Sequence, residues 1–157
     1  MITPNLVLKK LIEHYLPTQI GKYHQGDVFE LHAFMRIARD FYPLVWFEMS
    51  NSPRPIIDAA HGKHTQQRVR LILATRTEKA WLNDKRYLET FQNVLFPLYD
   101  NVKKLVIENQ YVELIGDFSR FDHPSFQVNV NENEVTDFWD VIAVEFEARF
   151  FEVKCLN

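Results

Sequence analysis

Two stretches of this chain alternate apolar and charged side chains for longer than an ordinary strand, and they fix the class of fold. In the first, Val69, Leu71, Leu73 and Thr75 point one way and Arg68, Arg70 and Arg76 the other, with Ile72 and Ala74 between them. In the second, residues 140–154, one face carries Ile142, Val144, Phe146, Ala148 and Phe150. The other carries Glu145, Glu147 and Arg149, flanked by Val141, Ala143, Phe151 and Val153. Successive side chains of a strand leave on opposite faces, so each stretch predicts a strand with one face in a core. As neighbours, their arginines and glutamates would pair across the sheet at about 0.2–1 kcal/mol each. Two separately solvated faces are the other reading.

Elsewhere the period is that of a helix. Thr3-Pro4 announces a first helix, with Thr as N-cap and Pro at the first helical position. Leu8, Leu11, Ile12 and Tyr15 recur at helical spacing, and Pro17 ends the run. After a loop holding Gly21 and Gly26, Asp27 and Glu30 have capping-box spacing, and Leu31, Phe34, Met35, Ala38 and Phe41 form one stripe stopped by Pro43. A long helix is predicted over residues 85–109. It carries Tyr87, Leu88, Phe91, Val94, Leu95, Leu98, Val102, Leu105 and Val106 on one stripe, and Pro97 should kink it near Asn93.

The remaining segments are shorter. Residues 44–49 read as a strand apolar on both faces. The connection from Asn51 to Gln67, with Pro53 and Pro55, reads as a long loop. Residues 111–115 suggest a short strand and 116–124 a loop, after which Phe126, Val128 and Val130 alternate briefly before a polar stretch at 131–134. The order predicts one α+β domain over residues 1–157: a small, mostly antiparallel sheet packed by a long helix and two N-terminal helices.

Composition narrows the function. A net charge of −3 and a pI near 6.1 argue against general nucleic-acid binding. Cys155 is the one cysteine, so no disulfide framework exists, which suits a reducing cytoplasm. Lys9, Lys10, Glu13 and His14 interrupt what would be a signal-peptide core, and no apolar run approaches the roughly 20 residues that span a bilayer. Thirteen Phe, six Tyr and three Trp are a heavy aromatic load, enough for both a core and a partner surface.

Chemistry finds little footing. His61 and His64, with Asp58 nearby, are the best metal candidates, but a zinc site needs three or four ligands and no further one is evident. No serine sits in a nucleophile elbow, and the glycine spacing fits neither a P-loop nor a dinucleotide fingerprint. Carboxylate pairs such as Asp137/Asp140 and Glu145/Glu147 are ordinary on strand faces. The small basic sets, Arg68, Arg70 and Arg76 with Arg36, Arg39 and Arg54 elsewhere, suit salt bridges. We therefore expect no catalytic residue, no metal and no cofactor.

Four stretches resemble the tail-terminator and tail-completion proteins of long-tailed phages. Tyr42-Pro43-Leu44-Val45-Trp46-Phe47 looks like that family's first strand, and VRLILATRT at 69–77 is similar to its second. RYLETFQNVLFPLYDNVKKLV at 86–106 looks like its long helix, and residues 138–154 resemble its closing strand. The resemblance implies a structural subunit of a hexameric neck ring, made in the bacterial cytoplasm. Such a ring caps the tail tube, joins it to the head connector and lets DNA pass. Closed rings join two different patches of the same chain. The interface candidates are Leu44 and Trp46, on an apolar sheet face, with Arg68, Arg70, Glu145 and Glu147. Either neighbouring copies or a second helix layer of the same chain covers that face. The alternatives are a non-viral protein-binding adaptor and a small metal-dependent enzyme built on His61, His64 and Asp58.

Overall fold

The two alternating stretches do lie side by side. In the computed structural model, which describes residues 2–37, 41–49, 55–77, 81–127 and 138–157, β4 (Thr65–Thr77) and β6 (Phe138–Phe150) pair antiparallel along their whole length. Arg70 stands opposite Glu145 and Arg68 opposite Glu147. Around them a six-stranded sheet runs β1-β2-β4-β6-β5, and β3 also pairs with β4. The other strands are β1 (Lys22–Gly26), β2 (Leu44–Glu48), β3 (Ile57–Asp58) and β5 (Val112–Gln127). The class is α+β with a mostly antiparallel sheet, as expected.

Both faces of the sheet carry a core. On one, Val45, Phe47, Leu71, Leu73, Val144 and Phe146 pack with α1 (Pro4–Tyr15) and the long helix through Leu8, Leu11, Leu95, Leu98 and Val102. On the other, α2 (Val28–Ile37) lays Leu31 and Met35 over Leu44, Trp46, Ile72, Trp139 and Val141. Trp46 has no exposure, and its indole N–H donates to the Gly26 carbonyl at 3.0 Å. A Cβ on Gly26 would lie 2.6 Å from Trp46 Cζ2, so only glycine allows that approach.

Several segments depart from the sequence reading. Residues 22–26, expected as loop, form β1, which runs parallel to β2 with α2 as the crossover between them. Only Tyr23 and Gly26 of that strand are buried, too little alternation to register. The expected 51–67 loop is interrupted by β3 and a tight turn in which Gly62 has φ 64°, and β4 begins at Thr65. Residues 51–54 lie outside the described set. Residues 116–124 belong to β5, whose ladder with β6 shifts register between Ile115 and Ser119 and between His123 and Phe126. Gly116, at φ 78°, and Pro124 sit inside those shifts, which is why the stretch looks like a loop. Val128, Val130 and the 131–134 stretch are also outside the described residues. The closing strand ends at Phe150 rather than near Lys154.

Helix ends behave more nearly as read. Thr3 takes an extended N-cap conformation without a side-chain capping bond, whereas the Asp27 carboxylate accepts the Glu30 N–H at 2.8 Å. Phe41 lies beyond α2. The long helix runs through α3 (Asn83–Arg86), a π-helical stretch (Tyr87–Leu95) and α4 (Phe96–Glu108). Phe96 N–H bonds five residues back to Phe91, and Pro97 falls in the first turn of α4. Upstream of Pro97, where a kink was expected, the helix takes a wider π-helical bore over the nine residues Tyr87–Leu95.

The α2 layer has a pH consequence. Burial lowers the pKa of His24, assisted by Lys22 and Lys9 against Glu30, and burial lowers that of His32. His24 stacks on Phe34 at 5.1 Å and leans on Trp46 at 5.0 Å. The unfolded chain takes these protons near pH 6.5 and the folded chain only below that. The unfolded state then binds more protons, so stability falls as pH drops through that value. The melting temperature should decline between pH 7 and about 5.5, and a His24→Gln/His32→Gln variant should flatten the slope. An equal slope in that variant would place the titration elsewhere.

Candidate functional site

Of the six interface candidates, the structure separates two from four. Leu44 and Trp46 lie wholly beneath α2, so of the two covers considered for this apolar face, neighbouring copies or a second helix layer, it is the chain's own helix that supplies it. They are core residues. Arg68, Arg70, Glu145 and Glu147 sit together further down the same face, past the end of α2's cover. Arg68 bridges to Glu145 at 3.2 Å, Arg70 to Glu48 at 3.3 Å, and Gln66 donates to Glu147 at 2.9 Å. These partly exposed pairs hold side chains in place more than they stabilise the fold.

Beside this ladder the pairing along β4 breaks among the described residues. β2 pairs with β4 as far as Leu71, and β3 takes over only at Gln66. Beside it opens a cavity of about 400 Å³ whose described lining includes Pro4, Phe47, Met49, Ile56, Arg68 and Arg70. Arg70 Nε is buried and finds no hydrogen-bond acceptor among the described residues, although it lies 3.9 Å from Glu145 Oε1, within ion-pair reach. The apolar rim is open to solvent: Met49, Ile56 and Ile57 are 54%, 55% and 52% exposed.

A second apolar patch lies at the other end of β4. Leu82 is 82% exposed, and Tyr87 and Leu88, read from sequence as part of the buried stripe, are 48% exposed each. Beneath them Arg86, almost fully buried, donates to Asp140 Oδ1 at 2.7 Å and to Thr77 Oγ1 at 3.2 Å, while Thr90 Oγ1 donates to Asp140 Oδ2 at 2.6 Å. This network ties the start of the long helix to the ends of β4 and β6. Sequence reasoning missed it, although Asp140 shares its strand face with Ile142 and Val144, a parity that calls for a buried partner. A comparison with family models finds no match to the chain. A comparison with curated proteins finds none either.

The remaining candidates lie in and beside the turn between β3 and β4. His61 is exposed, His64 packs against Phe151 at 5.7 Å, and Asp58 accepts a hydrogen bond from Thr65 at 3.0 Å. Among the described residues no three His, Cys, Asp or Glu are grouped to hold a metal ion. Asp137, Arg39 and Arg54 lie outside the described residues. No described helix is long and apolar enough to cross a membrane.

Proposed function

We propose that this chain is a structural subunit of a phage head–tail neck, of tail-terminator type, which closes into a homo-oligomeric ring between tail tube and head connector. One observation carries the reading: large apolar side chains are exposed toward opposite ends of β4, Met49, Ile56 and Ile57 at one and Leu82, Tyr87 and Leu88 at the other. A closed ring needs two unlike patches, because each subunit presents one to its predecessor and the other to its successor. The sequence resemblance adds the ring's place in a virion, and the acidic balance suits a lumen that DNA crosses without adhering. In this reading the subunit holds no cofactor and performs no chemistry.

Native mass measurement tests it. Assemblies of about six copies are expected, and Leu82→Asp should weaken association at least about tenfold, or roughly 1.4 kcal/mol, without lowering the melting temperature. A chain that remains a single copy at assembly concentrations overturns the ring. A protein-binding adaptor would give monomers or dimers on its own.

A further inference from the structure

Resting on the ring reading, we infer that the stretch Tyr87–Leu95 has two helical registers and that the Arg86–Asp140 pair is the latch between them. The π register offers Tyr87 and Leu88 to a neighbouring copy, and an α register withdraws them. The two exclude each other because they bury different side chains. In the π register, where Phe96 N–H bonds five residues back to Phe91, the buried positions are Arg86, Thr90, Phe91 and Leu95. That winding turns Arg86 and Thr90 onto Asp140 of β6, at 2.7 and 2.6 Å, and leaves Tyr87 and Leu88 half exposed.

The sequence carries a second stripe over the same residues. With about 3.6 residues per turn, Leu88 falls about 20° and Tyr87 about 80° round the axis from Leu95, both within the apolar stripe. Thr90 then falls about 140° away and Arg86 about 180°. An α winding therefore gains apolar burial while it draws Arg86 and Thr90 off Asp140. Pro97 weighs against that winding, because its ring crowds the Asn93 carbonyl and offers it no N–H. Opposed preferences of this kind make a two-state element, and a neighbour that docks on Tyr87 and Leu88 holds the π register. A chain in the α register lacks that patch, so the fraction in the π register sets how readily copies join.

Thiol labelling reads the register in dissociated chains. In a Cys155→Ser background, which removes the exposed native thiol, Leu88→Cys should react with a maleimide as an exposed group. Adding Pro97→Ala should slow that reaction at least about tenfold, the α register then being the major state. Its melting temperature should be no lower than the parent's, because the missing N–H is restored. Adding Arg86→Met/Asp140→Leu, which removes the latch and fills its space, should slow the labelling likewise. With Leu88 intact, both changes should weaken association, read by native mass, by a similar factor. A labelling rate that either change leaves at the parent's value overturns the latch, whether or not rings form. A parent chain that never associates overturns the ring alone, since labelling still reads the registers.

Discussion

Trp46→Ala is expected to cost the folded chain about 3–5 kcal/mol, seen as a fall in melting temperature of roughly 6–20 °C. The side chain has no exposure and sits between Leu31 and Met35 of α2 and the Ile72 and Trp139 side of the sheet. Truncation removes that contact area, leaves a void beneath α2, and takes one of two donors from the Gly26 carbonyl, which keeps the Met49 N–H at 2.8 Å. Read from sequence, the face of Trp46 was to be covered either by neighbouring copies, where its loss would act on association, or by a second helix layer of the same chain. With α2 above it, the effect falls on folding. Thermal melting of the dissociated chain checks this: an unchanged midpoint alongside weakened association would mean that Trp46 is not buried in solution.

Asp140→Ala should be of comparable size, about 3–5 kcal/mol, because it strands a buried guanidinium. Arg86 is almost fully buried and loses the carboxylate it donates to at 2.7 Å, while Thr90 loses its acceptor on β6. Urea unfolding measures the loss. Replacing both charges with apolar groups, as in Arg86→Met/Asp140→Leu, should recover much of it, since a buried ion pair stabilises little against a well-packed apolar pair. A single-variant loss below about 1 kcal/mol would mean that water reaches the pair.

The network also shows where sequence reasoning stops. β4 and β6 were legible because their charges and apolar groups alternate without a break, whereas their pairing, and the register that sets Arg70 opposite Glu145 and Arg68 opposite Glu147, came only with the structure. The helices were legible from stripes such as Leu8, Leu11 and Ile12. β1 was not, because Lys22, His24 and Gln25 carry no period and the strand is recruited by its neighbour β2. β5 was hidden by Gly116 and Pro124, residues that signal turns unless a paired strand holds them in bulges. The candidate site was half legible. Arg68, Arg70, Glu145 and Glu147 were named from the strand faces, but exposure of Tyr87 and Leu88 depends on how a π-helical turn rotates them, which a 3.6-residue template cannot register.

Those bulges in β5 bear on how the molecule tolerates crowding. A sixteen-residue strand at the margin of a sheet would ordinarily invite main-chain bonding from any passing strand, and through it unlimited growth into fibrils. Two breaks of register, a proline without an N–H, and the Arg120–Asp122 pair between them leave only a short regular run available. Copies pressed together at high concentration would thus be steered away from zippering edge to edge. Side chains, whose fit can specify a finite number of partners, would decide how many copies join.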